Sequence, residues 1–172
     1  MNKKALLIID PQNDYFPGGK YPLWNTKKTL NNIKIAIEKA NAKDITVIYI
    51  QHIADSTKGK APFFNKGSEG VKIHPLIMEI SPFPKVVIKS FADSFEKTTL
   101  DKTLSDIQVD ELLICGMMTQ NCVTHTAISK AAEKYKVSIL TDCCTTTDEM
   151  IHNIALNAIS TRIPLVTIEE ML

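Results

Sequence analysis

The sequence predicts an α/β protein: a three-layer, doubly wound (Rossmann-like) sheet of six mostly parallel strands with helices on both faces. The first observation behind this prediction is that short apolar runs of strand length alternate with segments whose apolar residues recur at helical spacing. The second is that residues 5–9 are apolar throughout, as in a strand buried on both faces. Such alternation is typical of parallel sheets, in which right-handed crossovers place the helices on the faces.

Each predicted element follows from a local pattern. Strands are predicted at residues 5–9, 45–50, 86–89, 111–115, 137–140 and 164–168, with Gly116 ending the fourth. Apolar residues at helical spacing predict helices from Thr26, over residues 100–107 and 123–131, and over 151–158. Thr146 and Glu149 form a capping-box pattern before the last of these helices. Residues 51–84 contain four prolines and three phenylalanines, which favours a packed, functional loop with one helical turn near residues 74–80.

Length and composition narrow the class of protein. The chain has 172 residues, which predicts a single domain over residues 1–172. Its net charge is +1, so no basic excess points to nucleic acid as a partner. No apolar run approaches the ~18 residues of a membrane span, and the run at residues 5–9 is too short for a signal peptide. These features predict a cytoplasmic protein whose four cysteines are free thiols.

Three chemically reactive side chains follow predicted strands. Asp10 follows the first strand, Lys89 ends the third, and Cys122 comes shortly after the fourth, at the predicted start of a helix. Sites in doubly wound folds form at the carboxyl ends of the strands, so these side chains are expected to lie close together. A helix N-terminus and a nearby lysine favour the reactive thiolate, and a carboxylate can accept the thiol proton and return it to a leaving group. The set predicts nucleophilic catalysis by cysteine.

Three sequence segments resemble a known set of motifs. Residues 116–123 read GMMTQNCV, residues 7–16 read LIIDPQNDYF, and residues 89–95 read KSFADSF, followed by Thr99 and Leu100. In order and spacing, these segments resemble the nucleophile, aspartate and lysine motifs of the isochorismatase-like cysteine hydrolases. The resemblance extends over nearly the whole chain.

The resemblance implies a role for each residue of the site. Asp10 would be the general base, Lys89 its electrostatic partner, and Cys122 the nucleophile that forms a thioester or related acyl-enzyme. It also implies a cis peptide bond between Met117 and Met118. The backbone N–H groups of Met118 and Cys122 would then form the oxyanion hole.

Nicotinamidases of this family carry an Asp-x-His metal motif after the second strand, and the matching segment here departs from it. Gln51 stands where the aspartate would be, and no histidine follows two residues later; His74 is the other histidine nearby. The sequence therefore predicts no metal ligands and no cofactor. Hydrolysis of isochorismate itself is also disfavoured, because members with that activity lack the cysteine.

Four further residues are predicted to contact the substrate: Tyr15, His52, Phe63 and Phe91. Packing of the long loop is an equally good explanation for its phenylalanines, among which Phe64 is a fifth candidate for the pocket wall. Cys115 is predicted to belong to the core, and Cys143 and Cys144 to follow the fifth strand as packing residues.

The function that the sequence predicts is hydrolysis of a C–N bond in a small amide-like molecule through a cysteine acyl-enzyme. Two alternatives remain open at this point: a metal-dependent nicotinamidase, and a catalytically idle member that acts as a binding or structural oligomer. The predicted partners are the small-molecule substrate and further copies of the chain, since the resemblance and the apolar segment 151–159 suggest a homo-oligomer. No nucleic acid or membrane partner is predicted.

Overall fold

A computed structural model describes residues 3–81 and 83–172 of the chain. Six strands form one sheet in the order β3-β2-β1-β4-β5-β6, and every neighbouring pair is parallel. The strands are β1 (Lys4–Ile9), β2 (Thr46–His52), β3 (Lys85–Lys89), β4 (Glu111–Met117), β5 (Lys136–Thr145) and β6 (Leu165–Val166). The chain order reverses between β1 and β4, so the predicted doubly wound α/β fold is confirmed.

The helices form the outer layers. They are α1 (Thr26–Ala42), α2 (Pro75–Met78), α3 (Leu100–Asp106), α4 (Thr124–Ala127), α5 (Glu149–Ile159) and α6 (Ile168–Met171). The long helix α1 buries Ile33, Ile37 and Ala40, which the helical spacing had marked as its apolar face. Among the described residues, none of the helices combines the length and apolar character that crossing a membrane requires.

Strand β1 lies at the centre of the core. It pairs with β2 on one side and β4 on the other, and its five apolar residues have no solvent exposure. Parallel strands covered by helices on both faces are apolar on both faces, which is why this segment does not alternate with polar residues. The carboxyl end of β1 lies at the point where the strand order reverses, next to the start of the β4 side of the sheet.

Two predicted strand ends were wrong. Strand β4 continues past Gly116 to Met117, and Gly116 itself lies at a shift of register with φ of +118°. Strand β5 continues to Thr145, so Cys143 and Cys144 lie inside the strand and do not follow it. Beyond the register shift the two extensions pair with each other, so both strands are longer than predicted.

The predictions for two helices and for the end of the last strand were also wrong. The segment predicted as one helix over residues 123–131 is divided into α4 and a 3₁₀ helix, Lys130–Lys134, with Ser129 capping the second piece. Helix α5 is capped by Asp148, whose side chain accepts from the Ile151 N–H, rather than by Thr146. Strand β6 ends at Val166, and a capping box of Thr167 and Glu170 starts α6 at once.

The long segment after β2 packs through two of its three phenylalanines, as predicted, whereas Phe83 is 92% exposed. Pro82 lies outside the described residues. The segment contains a 3₁₀ turn, Ser56–Lys58, and the one-turn helix α2 at the predicted position. Phe64 is fully buried and Phe63 packs against the core. The loop therefore covers the carboxyl end of the sheet.

Candidate active site

Three elements bring Asp10, Lys89 and Cys122 together. Asp10 directly follows β1 and adopts a left-handed conformation with φ of +49°. Lys89 is the last residue of β3, and its side chain reaches past the intervening strand β2. Cys122 lies in a π-helical turn, Thr119–Val123, between β4 and α4, so the helix predicted to start at this residue begins two residues later. All three residues are at most 3% exposed.

The Lys89 ammonium is the centre of this cluster. Its Nζ lies 2.9 Å from Asp10 Oδ2, 3.2 Å from Cys122 Sγ, 3.1 Å from His52 Nδ1 and 3.0 Å from the Phe91 carbonyl oxygen. An ammonium group has three protons, so it cannot donate fully to all four groups at once. A neutral thiol is the weakest acceptor of the four, whereas a thiolate would be a strong one.

The charges of the cluster act on the thiol in opposite directions. Burial raises the pKa of the Cys122 thiol, the Asp10 carboxylate raises it further, and Lys89 opposes both. The net effect raises the pKa, so Cys122 rests as a thiol; Lys89 favours the thiolate, as predicted, but does not outweigh burial and Asp10. Burial alone would lower the pKa of Lys89, but the Asp10 carboxylate, joined by the Cys122 sulfur when that is ionised, outweighs burial and raises the pKa, which keeps the ammonium charged.

One carboxylate oxygen of Asp10 has no hydrogen-bond donor among the described residues. Oδ2 is paired with Lys89, while Oδ1 is buried and accepts no hydrogen bond from any described residue. A buried carboxylate oxygen without a donor is unusual, because leaving it unpaired costs free energy. In this position it is available to accept the proton of Cys122 or an N–H of a bound molecule.

His52 extends the cluster on the side of β2. Its Nδ1 faces the Lys89 ammonium, which has only protons to offer, so Nδ1 accepts and the ring carries its proton on Nε2. Burial lowers the pKa of His52, and the charge of Lys89 lowers it further while Asp10 partly compensates. The imidazole is therefore neutral at pH 7.

Ligand atoms of Asp10, His52 and Cys122 lie within 4.8 Å of one another, a spacing that could hold a metal ion. The Lys89 ammonium, however, contacts all three of these groups. A divalent cation among the same donors would lie against a buried positive charge. Gln51, in the position of the nicotinamidase aspartate, donates instead to the Val71 carbonyl. These residues do not fit a metal ion.

Comparison with known proteins identifies the family of this chain. A sequence model of the isochorismatase domain matches residues 4–170. The chain belongs to the isochorismatase family of hydrolases. It is 36% identical to the uncharacterized isochorismatase family protein YddQ of Bacillus subtilis (strain 168) over 151 residues, which is 87% of this chain and 81% of the relative.

Two further matches cover most of this isochorismatase-family chain. The nicotinamidase of Escherichia coli (strain K12) is 28% identical over 178 aligned positions, covering 84% of each protein. The crystal structure of an isochorismatase hydrolase from Oleispira antarctica superposes with a TM-score of 0.87 at 32% identity, covering 99% of this chain and 96% of the other.

The aromatic residues predicted to contact substrate lie at different depths. Tyr15 is buried, and burial raises its pKa, with smaller contributions from the charges of Asp10 and Cys122. Phe63 packs on Tyr15 with ring centroids 5.4 Å apart. Phe91 is 37% exposed, its ring lies beneath the Lys97 ammonium, and its carbonyl holds Lys89. Contact with a substrate remains a prediction for all of them.

The turn that contains Cys122 is held by residues that were not predicted to belong to the site. Thr119 Oγ1 donates to the Thr145 carbonyl at 3.1 Å and lies 2.9 Å from His152 Nδ1. Since the hydroxyl has one proton, His152 is the donor of the second bond. Thr146 Oγ1 donates to Gln120 Oε1 from the other side. The threonine of the GMMTQNCV segment, Thr119, was a sequence signal for a residue that holds this turn. His152 is 33 residues from Thr119, and no local pattern indicated their contact.

The backbone of the same turn contains a cis peptide bond and internal hydrogen bonds. The peptide bond between Met117 and Met118 is cis. The Met118 carbonyl accepts from the N–H groups of Asn121 and Val123 at 3.0 and 3.3 Å. The proposed oxyanion donors, Met118 and Cys122, therefore belong to one ordered turn, although their role stays a prediction.

Proposed function

We propose that this isochorismatase-family chain hydrolyses the C–N bond of a small amide-like substrate through a thioester on Cys122. The observation that carries the proposal is the buried cluster in which one lysine ammonium contacts both the Asp10 carboxylate and the Cys122 sulfur. The E. coli relative is named as a nicotinamidase, an amide-hydrolysing enzyme, which supports the same bond type.

In the first half of the reaction, Cys122 attacks the substrate carbonyl carbon while its proton passes to Asp10 Oδ1. The C–S bond forms, and the carbonyl π electrons move to oxygen, where the N–H groups of Met118 and Cys122 are suited to stabilise the negative charge. When this intermediate collapses, the C–N bond breaks and Asp10 returns the proton to the leaving nitrogen. The amine departs and the acyl group stays on sulfur.

The second half reverses the proton movements. Asp10 accepts a proton from water, the hydroxide oxygen attacks the thioester carbon, and the C–S bond breaks. The carboxylic acid product leaves, and sulfur recovers its proton from Asp10. A base is required in the first half because burial favours the thiol form of Cys122, and in the second half because water must lose a proton as it attacks the thioester.

Lys89 stabilises the transition state more strongly than it stabilises the resting site. In the resting site it divides three protons among four acceptors, of which the thiol is the weakest. As sulfur gains negative charge, the same ammonium donates to it more strongly. Interactions that strengthen in the transition state are those that accelerate the chemical step.

Two measurements test the proposal. The first screens small primary amides, including nicotinamide, for ammonia release, and compares wild type with Cys122→Ala, which should abolish turnover and leave the fold intact. The control is Cys115→Ala, which removes a fully buried core thiol and should lower stability more than rate. Turnover by Cys122→Ala close to that of wild type would refute the mechanism.

The second measurement is labelling with iodoacetamide, followed by mass spectrometry. A working cysteine hydrolase should be modified selectively at Cys122, because the other three cysteines are buried away from the Asp10–Lys89 pair. An idle binding protein should have no selectively fast cysteine.

A further inference from the structure

The segment that follows β1 holds the long loop in place above the site. Gln12 Nε2 donates to the carbonyls of His52 and Val71, and its Oε1 accepts from the His52 N–H. Asn13 Nδ2 donates to the Glu69 carbonyl. The residues after Asp10 therefore bind both edges of the loop between β2 and α2.

Phe64, in this loop, has an unfavourable backbone conformation. Its φ is +60°, in the left-handed region that bulky side chains rarely adopt. Such a conformation is costly for a bulky side chain and persists where the surroundings enforce it. Both backbone polar groups of Phe64 are held: its N–H donates to Asp14 Oδ2 at 2.8 Å, and its carbonyl accepts from the Ala54 N–H at 3.0 Å.

Asp14 is the anchor for this conformation. It is 2% exposed, and its other oxygen, Oδ1, accepts from the Lys20 N–H at 3.1 Å. None of the ion pairs among the described residues includes Asp14, so backbone N–H groups are what hold its carboxylate. Gly70 packs directly on it, since a Cβ at that position would lie 2.0 Å from Oδ1.

The ring of Phe64 packs against residues that border the reacting groups. It lies edge-on to Tyr15 with centroids 4.6 Å apart and edge-on to Phe63 at 4.9 Å, and its centroid is 5.8 Å from that of His52. His52 in turn contacts Lys89, and Tyr15 is close enough to Asp10 and Cys122 for their charges to raise its pKa.

We propose that Asp14 is a positioning residue that holds Phe64 in its left-handed conformation, and that the Phe64 ring forms the wall limiting the size of the group that can reach Cys122. The proposal deepens the proposed function and rests on it for the identity of the nucleophile. It assigns the substrate class as small, compact amides, because a nearly closed site with a fixed aromatic wall excludes bulky acyl groups. The carboxylate acts through Phe64 and does not touch the reacting atoms.

Graded alkylating agents test this pocket without requiring the natural substrate. Iodoacetamide is a compact probe and iodoacetanilide carries the same reactive carbon on a bulky aryl amide. Wild type should react much faster with iodoacetamide, and the modified cysteine is identified as Cys122 by mass spectrometry. Asp14→Asn replaces an oxygen that accepts an N–H with an amide NH₂ that cannot. This should raise the relative rate of iodoacetanilide about tenfold.

A second variant keeps the proposal testable if Asp14→Asn fails to fold. Phe64→Gly removes the ring at a position whose positive φ glycine adopts without strain, and it should raise the same ratio by at least as much. In the double variant, Asp14→Asn should add nothing further, because its effect passes through the missing ring. Asp148→Asn is the matched control: an aspartate that also accepts a backbone N–H, at the start of α5, where asparagine caps equally well.

The outcomes separate the two claims. An unchanged ratio in Phe64→Gly overturns the aromatic wall, and an unchanged ratio in a folded Asp14→Asn overturns the role of Asp14. A loss of stability with no change in ratio would mark Asp14 as purely structural and also overturn the proposal. If wild type releases no ammonia from any amide, while these ratios still change as expected, the proposed function fails and the wall stands.

Discussion

Lys89 Nζ lies 3.2 Å from Cys122 Sγ, although β3 and the turn after β4 are separated in the sheet by β2 and β1. The ammonium therefore connects the most distant strand of the site to the Cys122 sulfur. It does so together with an ion pair to Asp10, in which neither side chain has any solvent exposure. The predictions for the two charged residues follow from this arrangement.

Replacing Lys89 by methionine should slow alkylation of Cys122. Lys89 is the group that lowers the thiol pKa against burial and Asp10, so its loss raises that pKa further. An opposite charge at this distance shifts a pKa by about 1–3 units, and each unit reduces the thiolate at neutral pH about tenfold. The measurement is the rate of reaction with iodoacetamide between pH 6 and 10.

Two controls accompany this variant. Lys97→Met removes an exposed lysine of the same segment and should leave the rate unchanged. Removing one partner of a buried ion pair can cost about 3–5 kcal/mol, so circular dichroism must establish that Lys89→Met is folded. If the folded variant alkylates as fast as wild type across neutral pH, Lys89 is not coupled to the thiol.

Asp10→Asn should lower turnover by about 10²–10⁴-fold, the usual contribution of a general acid–base group. The amide cannot accept the thiol proton or return it to the leaving nitrogen. Steady-state ammonia release measures the effect, with the exposed carboxylate variant Asp106→Asn as control. A loss smaller than tenfold would assign the proton transfers to another group.

Gly116→Ala should destabilise the protein more than Gly59→Ala does. Both glycines have positive φ, of +118° and +90°, but an added Cβ at Gly116 would lie 2.1 Å from the Ile9 carbonyl oxygen, whereas Gly59 has open space. The first substitution forces β1 and β4 apart beside Asp10, and its cost should exceed about 1 kcal/mol. Urea denaturation midpoints compare the two, and equal shifts would contradict the predicted clash.

Stability should fall as the pH is lowered below about 6.5, the ordinary pKa of histidine. Burial is the main cause that lowers the folded-state pKa of His52, His74 and His152. Between each folded pKa and 6.5 the unfolded chain binds more protons, so the free energy of unfolding rises with pH in that window and is fully present above it. Urea midpoints from pH 5 to 8 measure this dependence.

His74 supplies a matched variant for the same experiment. Its Nδ1 accepts from the Leu76 N–H at the start of α2. Asparagine caps helices well and does not titrate, so His74→Asn should flatten the pH dependence while keeping the cap. A dependence as steep as that of wild type would exclude His74 from it.

The homo-oligomer stays a prediction that the surface of α5 makes testable. Met150, Ile151 and Ile154 are exposed along one side of this helix, and the last two belong to the segment 151–159 that the sequence marked as apolar. A second copy of the chain would remove this stripe from water. Light scattering at micromolar concentration should give more than the monomer mass for wild type and the monomer mass for Ile154→Lys. Leu76→Lys, at another exposed apolar position, is the control.

The sequence by itself determined the fold class and the three reactive residues. Apolar runs and helical spacing are local patterns, and they located all six strands because each strand contains consecutive apolar residues. The rule that sites form at the carboxyl ends of parallel strands then selected Asp10, Lys89 and Cys122. That rule predicts that the three side chains lie together, and Lys89 contacts both of the others.

Tertiary structure alone decided where the strands end and how the site is charged. Strand β5 runs through Thr141 and Asp142, which no apolar pattern marks, because pairing of Cys144 and Thr145 with β4 satisfies the backbone there. Burial depth is likewise a property of the whole fold, and it raises the pKa of Cys122 despite the nearby Lys89. Asp14 and Phe64 are 50 residues apart, so their hydrogen bond has no local signal. Local sequence encodes propensity, whereas desolvation and contacts distant in sequence exist only once the chain has packed.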